Sequence, residues 1–161
     1  MARLLIVYHS RTGGSRQMAE AARDGSLGET ETVLLEASTA GPDDLLDADG
    51  YLFCAPENLA ALSGTMKEFF DRSYYPVLGR IEGRPYALMI CAGSDGENAA
   101  RQAARIATGW RLKAVQPPMI VCTRAQTTEE ILAPKTIAEA DLARCRDLGQ
   151  AMGAGLAMGA F

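Results

Sequence analysis

Cysteine is scarce, and the four present (Cys54, Cys91, Cys122 and Cys145) are too scattered for a disulfide scaffold; no two form a C-x-x-C pair. Long apolar runs are missing. The longest uncharged stretch is Leu148 to Phe161, 14 residues, short of the ~20 that a membrane-spanning helix needs. The apolar start, Leu4 to Tyr8, is too brief for a secretory signal, and no small-residue cleavage site follows it. Neither sign of charge dominates: 16 Lys and Arg stand against 20 Asp and Glu, a formal net charge of −4. That leaves no electrostatic footprint for nucleic acid or an anionic membrane. Histidine occurs once, at His9, and no group of Asp, Glu, Cys or His has metal-ligand spacing. What remains is 48% hydrophobic and 22% charged, with Gly 16 and Pro 7, a globular composition that excludes a disordered or collagen-like chain. At roughly 150 residues per domain, the length predicts one cytoplasmic domain over residues 1–161.

Apolar runs of strand length alternate with stretches of helical periodicity. Strands are expected at 3–8 (RLLIVY), 31–36, 50–55 (ended by Pro56), 85–92 and 118–122. Helices are expected over 15–25, where Met18, Ala21 and Ala22 share a face; around Met66, Phe69, Phe70 and Ser73; over 96–108; and over 138–158. Residues 43–49 read as a short polar helix or turn. Continuous apolar strands separated by helices of 10–15 residues mean right-handed βαβ crossovers and a parallel sheet covered on both faces. Five such strands suit a doubly wound three-layer α/β/α architecture with strand order 2-1-3-4-5.

In such sheets ligands bind beyond the carboxyl ends of the strands, where the strand order reverses. Three loops meet there: 9–15, 55–63 and 91–98. The first reads His9-Ser10-Arg11-Thr12-Gly13-Gly14-Ser15. It offers three hydroxyls, two glycines that permit φ > 0, and a helix starting immediately behind it. Backbone amides aimed into one concavity at a helix N-terminus suit a phosphate without any lysine. The nucleoside-triphosphate P-loop is excluded, since no lysine precedes Lys67. The plain alternative is a Ser/Gly turn in which Ser15 merely caps the helix, with Arg11 and Arg16 solvated.

These residues carry a resemblance. The run YHSRTGGSRQMA resembles the S/T-x-T-G-x-T phosphate loop of flavodoxin-like proteins, with Ser10, Thr12, Gly13 and Ser15 in the matching places. APENLAALSGTMKEFFDR resembles the second flavin loop of the branch containing NAD(P)H:quinone reductases and FMN reductases, through Pro56, Glu57, Asn58, Ser63, Gly64, Lys67 and Asp71. CAGSDGEN stands where that branch has its glycine-containing isoalloxazine loop. The resemblance implies FMN, with its phosphate on Ser10, Arg11, Thr12, Gly13, Gly14 and Ser15. It places the ring edge on Ala55, Pro56, Glu57, Asn58 and Leu59 and on Ala92, Gly93, Ser94, Asp95 and Gly96. It further implies NAD(P)H as reductant and a small acceptor such as a quinone or free flavin. An imide N3–H flanked by carbonyls wants both donors and acceptors, and the Asn58 amide has both. The flavin carries the redox chemistry itself, so no catalytic acid or base is demanded.

Electron-carrier flavodoxins usually sandwich the ring between aromatics, yet neither 55–63 nor 91–98 contains one. That absence and the lack of a strongly acidic surface favour an enzyme over a carrier or a flavin-free scaffold. Tyr74 and Tyr75 either reach a neighbouring subunit's flavin or pack at an interface or in the core. With Leu156, Met158 and Phe161 they provide surface for a homodimer or homotetramer. Thr65-x-x-Glu68 has the spacing of a capping box. Gly153-x-Gly155-x-x-x-Gly159 lacks the strand–turn context of a dinucleotide fingerprint, and close packing of the last helix on the sheet accounts for it better.

Overall fold

A computed structural model describes every residue from Met1 to Phe161. The elements run β1 (Arg3–Tyr8), α1 (Gly14–Ser26), β2 (Glu31–Glu36), α2 (Pro42–Asp47), β3 (Gly50–Asn58), β4 (Ala61–Leu62) and α3 (Gly64–Val77). They continue with β5 (Pro85–Ala92), α4 (Glu97–Gly109), β6 (Lys113–Ala114), β7 (Met119–Cys122), α5 (Thr128–Leu132) and α6 (Glu139–Met158). The parallel core has the order β2-β1-β3-β5, as expected, with the fifth position split. There β6 pairs with Pro85 and Tyr86, and β7 pairs with Met89 to Ala92, along the same edge of β5. Pro117 and Pro118 stand between the two pieces; a proline cannot donate to the ladder, so the strand breaks there.

The period-two geometry of the strands sorts their side chains into two cores. In β1, Leu5 and Val7 join the layer under α2, α3 and α4, while Leu4, Ile6 and Tyr8 join the layer under α1 and α6. In β5, Tyr86, Leu88, Ile90 and Ala92 go to the first layer, and Ala87, Met89 and Cys91 to the second. Both faces are buried, which is why these strands are apolar throughout. The first layer also takes most of the aromatic side chains: Tyr51, Phe53, Phe69, Phe70 and Trp110 pack there, with Phe53 and Phe70 edge-on at 5.1 Å.

Several local expectations are corrected. Pro56 does not end β3, which continues to Asn58. β1 stops at Tyr8, opposite Cys54, and the returning chain meets Pro56 as a donor. The Ser63 N–H donates to the Pro56 carbonyl at 3.3 Å, while the Ser63 carbonyl accepts from the Lys67 N–H, so the amide that proline lacks is not missed. The cap of α1 is Gly13 at φ 97°, not Ser15. Thr65 and Glu68 form no capping box, because α3 starts at Gly64 behind Ser63 and Glu68 pairs with Arg72 instead. The capping box occurs at α5, where the Glu130 N–H donates to Thr127 Oγ1 at 3.1 Å. Two glycines of α6, Gly149 and Gly153, lie against α1 and the turn after it rather than against the sheet, while Gly155 faces Phe161 and Gly159 meets nothing within 4 Å. A Cβ at Gly149 would lie 2.6 Å from the Ala22 carbonyl carbon of α1, and one at Gly153 3.1 Å from Glu29 Cβ.

Candidate functional site

A cleft of about 550 Å³ opens at the carboxyl ends of β1, β3, β5 and β7. The first loop forms its floor. There the Gly13 N–H donates to Ser10 Oγ at 3.0 Å, and the positive φ of Gly13 turns the chain into α1. Gly14 presses on the cleft's base so closely that a Cβ would sit 2.6 Å from Cys91 Sγ. Ser15 is 1% exposed, lines the cleft, and its hydroxyl has no hydrogen-bond partner. An unpaired buried hydroxyl is disfavoured by about 1–3 kcal/mol. At a helix N-terminus it stands among amides left free by the helix and beside the positive end of its dipole. The combination suits an anion.

The second loop is a hairpin. Glu57 pairs with Leu62 and Asn58 with Ala61, leaving Leu59 (φ 52°) and Ala60 (φ 60°) as the two turn residues. Both are left-handed without being glycine, at an expense on the order of 1 kcal/mol each. α4 holds the turn in place: Asn98 Nδ2 donates to the Ala60 carbonyl at 2.7 Å, and Gln102 Oε1 accepts from the Leu62 N–H at 2.7 Å. Glu57 Oε2 accepts from the Gly96 N–H at 2.6 Å, joining the second loop to the third. The hairpin thus presents the half-buried Asn58 and the fully exposed Leu59 to the cleft.

Of the sequence candidates, Ser10, Arg11, Thr12, Gly14, Ser15, Pro56, Glu57, Asn58, Leu59, Ala92, Gly93 and Ser94 line one cleft. Four do not. Gly13 caps α1, Ala55 is buried in the core, Asp95 Oδ1 accepts from the Glu97 N–H, and Gly96 at φ 86° caps α4. The other wall escaped the sequence reading: Thr123, Ala125, Gln126, Ile131, Leu132 and Lys135 also line the cleft, with Cys91 of the third loop at its base. The Thr127-x-x-Glu130 spacing could have revealed α5; nothing local marks Lys135. The first loop itself holds no lysine, but Lys135 Nζ from the other wall stands 3.4 Å from Thr12 Oγ1.

Burial pushes the Cys91 thiol up to about 11, against a smaller pull downward from Lys135. Cys54, which donates to the Ser15 carbonyl at 3.3 Å, is likewise raised well above the ordinary thiol value by burial. Neither is a thiolate at neutral pH, so the base of the cleft is uncharged. His9 sits at the end of β1 with Nδ1 2.9 Å from Ser63 Oγ; burial chiefly lowers its pKa. Tyr74 stacks on Trp110 at 5.7 Å, a packing role, whereas Tyr75 is exposed on α3. No group of three or more His, Cys, Asp or Glu is placed to hold a metal ion, and no helix is long and apolar enough to cross a membrane.

A parallel sheet wound in this order, with its cleft at the strand-order reversal, defines a flavodoxin-like fold. A structure of a flavodoxin from the domain Archaea superposes with a TM-score of 0.76 over 96% of this chain and 98% of that one, at 18% identity. Residues 29–128 match the family described as NADPH-dependent FMN reductase, and the chain belongs to that family. A protein named flavodoxin from Aquifex aeolicus is 37% identical over 98 residues, 60% of this chain and 53% of its own length. An NAD(P)H dehydrogenase (quinone) from Acidithiobacillus ferrooxidans is 33% identical over 95 residues, 45% of this chain and 48% of that one. The chain thus spans about half the length of the curated relatives it matches. FMN agrees with the cofactor implied by the loop motifs.

Proposed function

We propose that the protein is an FMN-dependent oxidoreductase, taking hydride from NAD(P)H and passing electrons to a small acceptor such as a quinone or free flavin. One observation carries the reading: the cleft joins a buried, unpaired Ser15 hydroxyl at a helix N-terminus to walls that contain no Phe, Tyr or Trp. The first feature fits a phosphate. The second leaves a ring face without aromatic cover, open to a nicotinamide or a planar acceptor.

The bound flavin supplies the hydride and electron transfer. The chain positions it. Ser15, the Thr12 hydroxyl and the first amides of α1 would hold the phosphate, while Ser10 Oγ accepts from the Gly13 N–H and braces the turn. The Asn58 amide offers a donor and an acceptor to the ring edge, and residues 92–94 offer backbone to the same edge. The Glu57–Gly96 bond holds those two loops in register. Arg11, exposed at the rim, is free to meet a charged reductant. All 161 residues serve one flavin-binding domain, and we place it in the cytoplasm as a homodimer or homotetramer, with the exposed Tyr75 and Met158 as surface for a second copy.

The test is the absorbance spectrum of the purified protein, followed by anaerobic addition of NADPH and NADH. A yellow protein that bleaches rapidly supports the proposal. A second reading, electron carrier, draws on the 37% identity to the Aquifex flavodoxin; it requires a yellow protein that neither nicotinamide bleaches. A colourless protein unable to take up FMN defeats both.

A further inference from the structure

The connection from β7 to α6 brings Lys135 across the sequence to the first loop. Its backbone N–H donates to the Thr12 carbonyl at 2.8 Å. Its carbonyl accepts from Gln17 Nε2 at 2.7 Å, and Gln17 Oε1 accepts from the Ile137 N–H at 3.0 Å. These bonds fasten the segment to α1 whatever side chain stands at 135. The ammonium has three donors. Two go to the carbonyls of Ile131 (2.9 Å), in the last turn of α5, and Ala133 (2.6 Å), the residue that follows it. The third faces Thr12 Oγ1 at 3.4 Å, too long for a strong bond.

An ammonium group and the N-terminus of the 13-residue α1 are both positive, and they repel unless an anion lies between them. They converge on the cleft wall that holds the buried, unpartnered Ser15 hydroxyl. We propose that Lys135 is the counter-charge of a bound phosphate monoester, the terminal phosphate of a mononucleotide flavin, using the donor that Thr12 leaves underused. A phosphate monoester carries about −1.5 to −2 at neutral pH, and charge-assisted bonds to it are roughly twice as strong as neutral ones. The matched family segment ends at residue 128, before this lysine. The inference rests on the FMN reading above.

Dissociation constants for FMN and riboflavin, from flavin fluorescence quenching at low and high salt, test it on the whole protein and on Lys135→Met, Lys135→Gln and Lys135→Arg. Both neutral variants should weaken FMN roughly tenfold or more and riboflavin by less than about twofold. Lys135→Arg should keep most of the FMN affinity, and the salt dependence seen with the parent should shrink in the neutral variants. The neutral variants also lose the ammonium's bonds to the Ile131 and Ala133 carbonyls, so a small fall in apo-protein melting temperature is expected, and it is the FMN-to-riboflavin difference that reads the phosphate. Unchanged FMN affinity in the neutral variants overturns the assignment and leaves the FMN reading standing. An equal loss of both flavins also overturns it, leaving Lys135 only a strap for α5. A parent that binds neither flavin overturns both proposals.

Discussion

Ser15→Ala distinguishes a ligand-binding hydroxyl from a structural one, because the two roles predict opposite changes. The residue is 1% exposed, its hydroxyl has no partner, and Gly13 rather than Ser15 caps α1. Removing an unpaired buried hydroxyl relieves about 1–3 kcal/mol, and alanine is the better helix former by a few tenths. The small void left by one oxygen offsets part of this. The apo-protein should therefore gain about 1 kcal/mol, a rise of about 2–4 °C in melting temperature for a chain of this size. With FMN the sign reverses. Losing a bond to a charged phosphate forfeits about 1.5–3 kcal/mol, a factor of roughly 10–150 in dissociation constant. FMN at about 1,000 times the parent's dissociation constant stabilises it by about 4.1 kcal/mol, whereas a hundredfold weaker variant keeps about 1.4. Thermal unfolding with and without FMN reads both effects. A variant whose apo form melts several degrees early, yet takes up FMN like the parent, would refute the reasoning.

Gly149→Ala should lower stability by about 2 kcal/mol, from overpacking near 3 less the helix propensity gained; its Cβ would meet backbone, 2.6 Å from the Ala22 carbonyl carbon. Gly64→Ala, where a Cβ meets nothing within 4 Å, should be neutral or stabilising in the same melts. His9 has a folded pKa depressed by burial below the ordinary 6.5; that stability is present above 6.5 and lost as pH falls through the folded value. His9→Gln should flatten denaturant-midpoint profiles below pH 6.5, and an unchanged slope would assign the acid sensitivity to another group. Cys91, raised to about 11, should resist iodoacetamide at pH 8 and react faster as pH approaches 11; rapid alkylation at pH 8, located by mass spectrometry, would contradict its burial.

The sequence by itself determined the layers. Apolar strands such as RLLIVY and PYALMICA, separated by amphipathic helices, admit one economical arrangement, a parallel sheet buried on both faces, and its carboxyl edge locates the loops. Most cleft residues on the first three loops were legible for that reason, since each follows directly from the strand it leaves. The turn at Leu59 and Ala60 was not, because a two-residue turn with both residues at φ > 0 is signalled by Asn-Gly, and here neighbouring side chains from α4 impose it instead. The continuation of β3 through Pro56 depended on where β1 stops and on the returning chain at Ser63. The close approach of Gly149 to Ala22 appears only once α1 and α6 lie together on one face. Lys135 was the least legible. It reaches Thr12 across 123 positions through hydrogen bonds to Gln17 and the Thr12 backbone. Propensity and periodicity act over a few neighbouring residues, whereas the charge placed in this cleft is set by how distant segments pack.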